Sequence, residues 1–144
     1  MANERLVQPF TEPVSAWDVL ERIKALAADE PLRVMMHGWL QKRDDQDWHS
    51  ACRIRSFPRC GTVGCVGGWG SHLLRLPLGE EIRGTLGLSS EQSNELFTPV
   101  GWFENWGMEA QTPEFAARFN QHISTFQRKY EQQLKDHMCV PVLL

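Results

Sequence analysis

Apolar residues recur every three or four positions in two long stretches of this chain, and that spacing predicts helices. In the first, Trp17, Leu20, Ile23, Lys24 and Ala27 share one face, with Val19 and Leu26 beside it; Glu21, Arg22 and Ala25 lie away from it. Ser15 stands where an N-cap belongs and Asp18 follows three residues on, a variant of the capping box. Pro31 disfavours helical geometry at Glu30, which places the end near Asp29. In the second stretch, Thr112-Pro113-Glu114 supplies a cap, a proline at the first position and an acid in the first turn. That helix is expected to run to about Asp136, with Phe115, Phe119, His122, Ile123 and Phe126 on its buried side.

Shorter elements fill the space between. Thr62 is a good N-cap for a helix through about Leu76, ended by Pro77 and Gly79. Glu80 to Leu86 reads as a helical turn closed by Gly87. Ser89 and Gln92 form a capping box for a helix that ends at Leu96 and Phe97, before Pro99. Leu32 to Leu40 fits either a short strand or a helical turn, and Ala51-Cys52-Arg53-Ile54-Arg55 alternates like a strand. The fold class that follows is mainly α: a single small domain of about four to five helices, with room for a short β-hairpin within residues 32–56. Residues 1–14, with Pro9 and Pro13, read as an N-terminal arm over the surface. Residues 15–136 form the helical domain, and residues 137–144 an apolar tail able to pack back on it.

Composition bounds the function more than it names it. The chain has 144 residues, 42% hydrophobic and 23% charged, as expected of one soluble globular domain. Its net charge of −3 gives no overall pull toward nucleic acid or an anionic membrane. Residues 31–60 depart from this, with six basic residues (Arg33, Lys42, Arg43, Arg53, Arg55, Arg59) against three acids. That segment could steer an acidic partner, and it keeps a nucleic-acid binder as a third reading. No apolar run approaches the ~20 residues of a membrane span, and the N-terminus lacks an apolar signal region. A cytoplasmic protein without membrane contact is therefore expected. In that compartment four cysteines suit thiols or metal ligands better than disulfides. Six tryptophans are many for this length, so some should stand half-exposed.

The densest motif is Cys60-Gly61-Thr62-Val63-Gly64-Cys65-Val66-Gly67-Gly68-Trp69-Gly70. Each helical glycine costs roughly 1 kcal/mol against alanine, so something must offset it. One reading is close packing against a bare backbone face, with small buried cysteines. A second is a metal or redox site: Cys60 and Cys65 with Cys52, His49 and His72 as further ligands for zinc. The single Cys-x4-Cys pair departs from the usual two-pair zinc spacing. A third is a thiol nucleophile at a helix start, Cys60 or Cys65, with His72, His37, His49 or His122 as its base.

The order of motifs carries a resemblance. Met36-His37-Gly38-Trp39 precedes the Cys60–Trp69 run, and Leu86-Gly87-Leu88-Ser89, Leu96-Phe97 and Trp102 follow. Over roughly residues 15–125 this resembles a loose group of small uncharacterised bacterial and phage proteins. Their shared pattern is Met-x-x-Trp, then Cys-Gly-Thr-x-x-Cys-x-x-Gly, then Leu-Gly-Leu-(Ser/Thr) with Leu-Phe. Members usually carry small residues such as alanine where this chain has Gly64 and Gly68. The resemblance implies a shared fold unit and a phage or mobile-element origin, and no particular activity.

The chain shows no Walker or Rossmann glycine loop, no His-Glu-x-x-His and no Gly-x-Ser-x-Gly. It does offer spare aromatic area. We therefore expect an interaction protein, without a cofactor, that binds and inhibits a host or defence protein. Trp102, Phe103 and Trp106 are the expected anchors, flanked by Arg53, Arg55 and Arg59. A small thiol enzyme or metal module on Cys60 and Cys65 is the alternative.

Overall fold

In the computed structural model, residues 4–29, 40–42, 62–64, 66–76, 81–97 and 113–142 are described. They form seven helices and four short strands: α1 (Glu4–Val7), β1 (Val14–Ser15), α2 (Ala16–Asp29), β2 (Leu40–Lys42), β3 (Thr62–Gly64), α3 (Val66–Leu73), α4 (Glu81–Thr85), α5 (Ser90–Phe97), α6 (Pro113–Lys129), α7 (Glu131–Asp136) and β4 (Met138–Cys139). The architecture is mainly α, as the periodicity predicts. The extra helices arise because the arm coils once at α1 and because the last long helix breaks at Tyr130, whose φ of −122° and ψ of 31° leave the helical region.

Helix α2 is central and packs against α6, α7, α3 and α1. Its buried side is Val19, Leu20, Ile23, Leu26 and Ala27, facing Phe119, Ile123 and Phe126 of α6. Trp17 and Lys24, assigned by spacing to the same face, are only half-buried. They sit at its edge, where the Lys135 ammonium lies 4.6 Å from the Trp17 ring and Lys24 Nζ donates to Ser124 Oγ at 3.1 Å. Residues at the rim of a helix stripe can bury their stems and leave polar heads in water.

Two of the predicted caps form, at Ser15 and Ser89, while Thr112 lies outside the described residues. The Asp18 N–H donates to Ser15 Oγ at 3.1 Å. Ser89 and Gln92 bond reciprocally, the Gln92 N–H to Ser89 Oγ at 3.1 Å and the Ser89 N–H to Gln92 Oε1 at 2.9 Å. A polar seam joins α5 to α6 and α7: Glu95 accepts from Lys129 Nζ at 2.8 Å and from the Tyr130 hydroxyl at 2.7 Å, and His122 Nε2 donates to the Glu95 carbonyl at 2.9 Å.

Thr62 is not a helix cap. It lies in β3, which pairs antiparallel with β2 in the register Leu40↔Gly64, Gln41↔Val63, Lys42↔Thr62. One strand of the expected hairpin thus falls within residues 32–56, and its partner comes from beyond them. Thr62 and Val63 are both β-branched, a preference for extended backbone that outweighs the capping signal here. The helix begins at Val66 instead. It is short and almost entirely buried, with Gly67, Gly68, Trp69 and Gly70 all inside. Space is tight at Gly70: a Cβ there would stand 3.1 Å from Ile82 Cδ1, which would have to shift, and 3.8 Å from Ile23 Cδ1. Close approach of α4 and α2 is the physical use of glycine in this part of the motif.

Candidate interaction surface

The C-terminal end of α3 organises the surface of greatest interest. A helix leaves its last four carbonyls without intrahelical partners, and buried ones must find others. Here every one is satisfied. The Leu76 N–H bonds the Ser71 carbonyl at 2.8 Å and the Arg75 N–H bonds the His72 carbonyl at 3.1 Å, a Schellman ending with Arg75 at a φ of 60°. The Leu73 carbonyl accepts from the Phe10 N–H at 2.8 Å, and the Leu74 carbonyl from the Val142 N–H at 3.0 Å. The N-terminal arm and the C-terminal tail therefore close over the same helix end.

The two segments also pair with each other. Strand β1 runs antiparallel to β4, with Val14 opposite Cys139 and Ser15 opposite Met138. The Ala16 N–H continues the ladder to the His137 carbonyl at 2.9 Å. His137 is fixed in turn, its Nε2 donating to the Thr85 carbonyl at 2.8 Å.

Side chains of an extended segment alternate between faces. In the tail, Cys139 and Pro141 point inward and are buried. Met138, Val140 and Val142 point outward, 53%, 63% and 41% exposed. These are the large exposed apolar side chains among the described residues, and they share one side of one strand-like segment. Burial drives the Cys139 thiol up to about 11, so at neutral pH it is a packed, protonated group.

Beside the ribbon, the arm and α2 enclose an open cleft of about 430 Å3 lined by residues 8–14 together with Arg5 and Arg22. Arg22 holds the arm in place. Its Nη1 donates to the Arg5 carbonyl at 3.3 Å and to the Gln8 carbonyl at 3.2 Å, and its guanidinium carbon lies 4.5 Å from the centre of the Phe10 ring.

Of the residues singled out from sequence, His122, already placed against the Glu95 carbonyl, falls among the described ones, and so does His72. Its Nε2 donates to the Val7 carbonyl at 2.6 Å, and its ring meets Trp69 edge-on at 6.0 Å. That nitrogen ties α1 to α3, which gives His72 a structural bond in place of a free imidazole edge. Cys52, Cys60, Cys65, His49, Trp102, Phe103, Trp106, Arg53, Arg55 and Arg59 lie outside the described residues. Among the described residues no group of three or more His, Cys, Asp or Glu side chains is arranged to hold a metal ion. No helix among them is long and apolar enough to cross a membrane.

Met138, Val140, Val142 and the Arg22–Phe10 contact have no counterpart in the sequence reading. Five consecutive apolar residues, Met138-Cys139-Val140-Pro141-Val142, carry no polar contrast from which a face could be read. The available signal was stereochemical: an extended apolar run cannot turn every side chain inward.

No protein-family model, curated protein or solved structure matches the chain.

Proposed function

We propose that this protein acts by binding another protein, and that the outward side of its C-terminal tail is a principal docking surface. The observation that carries the reading is the alternation at residues 138–142, with three apolar side chains facing solvent from a backbone bonded to β1 and to α3. Backbone bonds at both ends of this stretch fix it before any partner arrives, so little ordering cost falls on association. Trp102, Phe103 and Trp106, with Arg53, Arg55 and Arg59, form the second expected contact set, suited to an acidic partner. The resemblance implies no activity of its own; by analogy with a phage or mobile-element origin, the target class we propose is a host or defence protein, met in the cytoplasm and inhibited by occlusion.

The test compares the wild-type chain with the triple variant M138S/V140S/V142S as bait against a lysate of the source cell. All three side chains are exposed, so the variant should keep the wild-type circular dichroism spectrum and melting temperature. A partner retained by the wild-type chain should bind the variant about 30-fold more weakly, the loss expected for removing a ~2 kcal/mol hot spot. Equal retention of the same partner by both baits would place the docking surface elsewhere.

A further inference from the structure

A second site stands apart from the tail's apolar side and has a different chemistry. The cleft between the arm and α2 has two guanidinium groups in its lining, Arg5 and Arg22, against one carboxylate, Glu12. Arg22 is held in three ways: Nη1 bonds two carbonyls, the guanidinium carbon sits over the Phe10 ring, and the α2 backbone anchors its stem. Among the described residues its hydrogen bonds run through Nη1 alone. The Nε–Nη2 edge is the fork that matches two oxygens of a carboxylate or phosphate. Holding a long side chain in one conformation is the main cost of using it as a ligand, and here the fold has already met that cost. Burial and the neighbouring charge of Arg5 both lower the Arg22 guanidinium from its ordinary value. An anion bound at Arg22 would offset the repulsion from Arg5. The volume of about 430 Å3 suits a small molecule, within the roughly 300–1,000 Å3 range of small-ligand sites.

We propose that this cleft is an oxyanion site that takes a small ligand bearing a phosphate or carboxylate group. The Arg22 fork binds the oxyanion in two-point fashion, Arg5 adds the second charge, and the polar side chains of Gln8 and Thr11 complete the lining. This inference is independent of the protein-binding reading, because it concerns the isolated chain and a cleft lined by none of the tail residues.

The test is a titration of the 144-residue chain with inorganic phosphate and, separately, with succinate, at constant ionic strength. It is followed by 1H–15N NMR at the arginine Nε–H groups and at the amides of residues 8–14. Saturable shifts in the millimolar range at the Arg22 Nε–H and the arm amides are expected for at least one anion. The tighter of the two identifies the favoured group. R22K keeps the charge and loses the fork, and should weaken binding at least tenfold. R5Q leaves the Arg22 contacts in place and should weaken it several-fold, so the proposal stays testable even if R22K loosens the arm. R128Q, on the exposed side of α6, should change nothing. Shifts that fail to saturate, equal shifts with sodium chloride, or unaltered binding in R5Q would each overturn the proposal.

Discussion

Replacing Gly87 with alanine tests the corner on which the tail is hung. Gly87 has a φ of +72°, a left-handed conformation that costs an L-residue about 1 kcal/mol or more. Space forbids the methyl as well. A Cβ at this position would lie 2.6 Å from His137 Nδ1, 2.7 Å from Cε1 and 2.8 Å from Cγ. The imidazole must therefore shift, and its bond to the Thr85 carbonyl is lost or bent, a further contribution of about 1 kcal/mol. Together the terms predict a destabilisation of about 2–3 kcal/mol. For a chain of this size that lowers the melting temperature by roughly 6–10 °C. Gly84 is the internal control, since it is exposed in α4 and nothing lies within 4 Å of its would-be Cβ. G84A should raise stability by about 0.5–1 kcal/mol through helix propensity alone. Thermal melts of both variants by circular dichroism decide the matter. A G87A melting temperature equal to that of wild type would mean that the corner accepts a side chain and that His137 is not wedged against it.

Other outcomes follow from single contacts. Arg75 occupies a left-handed position at the end of α3, so R75G should stabilise the protein by about 1 kcal/mol in denaturant unfolding. Leucine at the buried Gly68 should cost several kcal/mol by overpacking, read as a large drop in urea midpoint. Burial, only partly opposed by bonds to the Glu95 and Leu96 backbone, lowers the His122 pKa below its usual value. The unfolded chain thus takes up this proton first: the His122 contribution is intact above pH ~6.5 and is lost as pH falls toward the folded pKa. H122Q should flatten the melting-temperature profile in that window. With its thiol raised to about 11, Cys139 should react at pH 8 about 100-fold or more slowly than in denaturant, measured by mass spectrometry of its peptide.

The elements legible in the sequence are those set by local signals. The Ser15 cap, the Ser89–Gln92 box, the stop near Asp29, the helical turn closed by Gly87 and the buried faces of α2 and α6 each depend on residues within a few positions. The misreadings share the opposite character. Thr62 carries a capping signal and a strand preference at once, and pairing with residues 40–42 decides between them. Strands β1 and β4 are two residues each and more than a hundred positions apart, beyond the reach of any periodicity. The outward stripe at Met138, Val140 and Val142 exists only because that pairing fixes which face of the tail is buried. The cleft arises at shorter range, 17 and 14 positions apart, but Arg22 finds the arm through two backbone carbonyls that carry no sequence signature.

Side-chain oxidation footprinting of the protein alone and with its captured partner tests the docking claim most directly. Two methionines report on the two expected contact sets: Met138 on the tail, and Met108 in the stretch that holds Trp102 and Trp106. Met138 is 53% exposed in the free chain and should oxidise readily there. Strong protection of Met138 in the complex is expected. Unchanged oxidation of Met138 in a saturated complex, whatever happens at Met108, would contradict the docking claim.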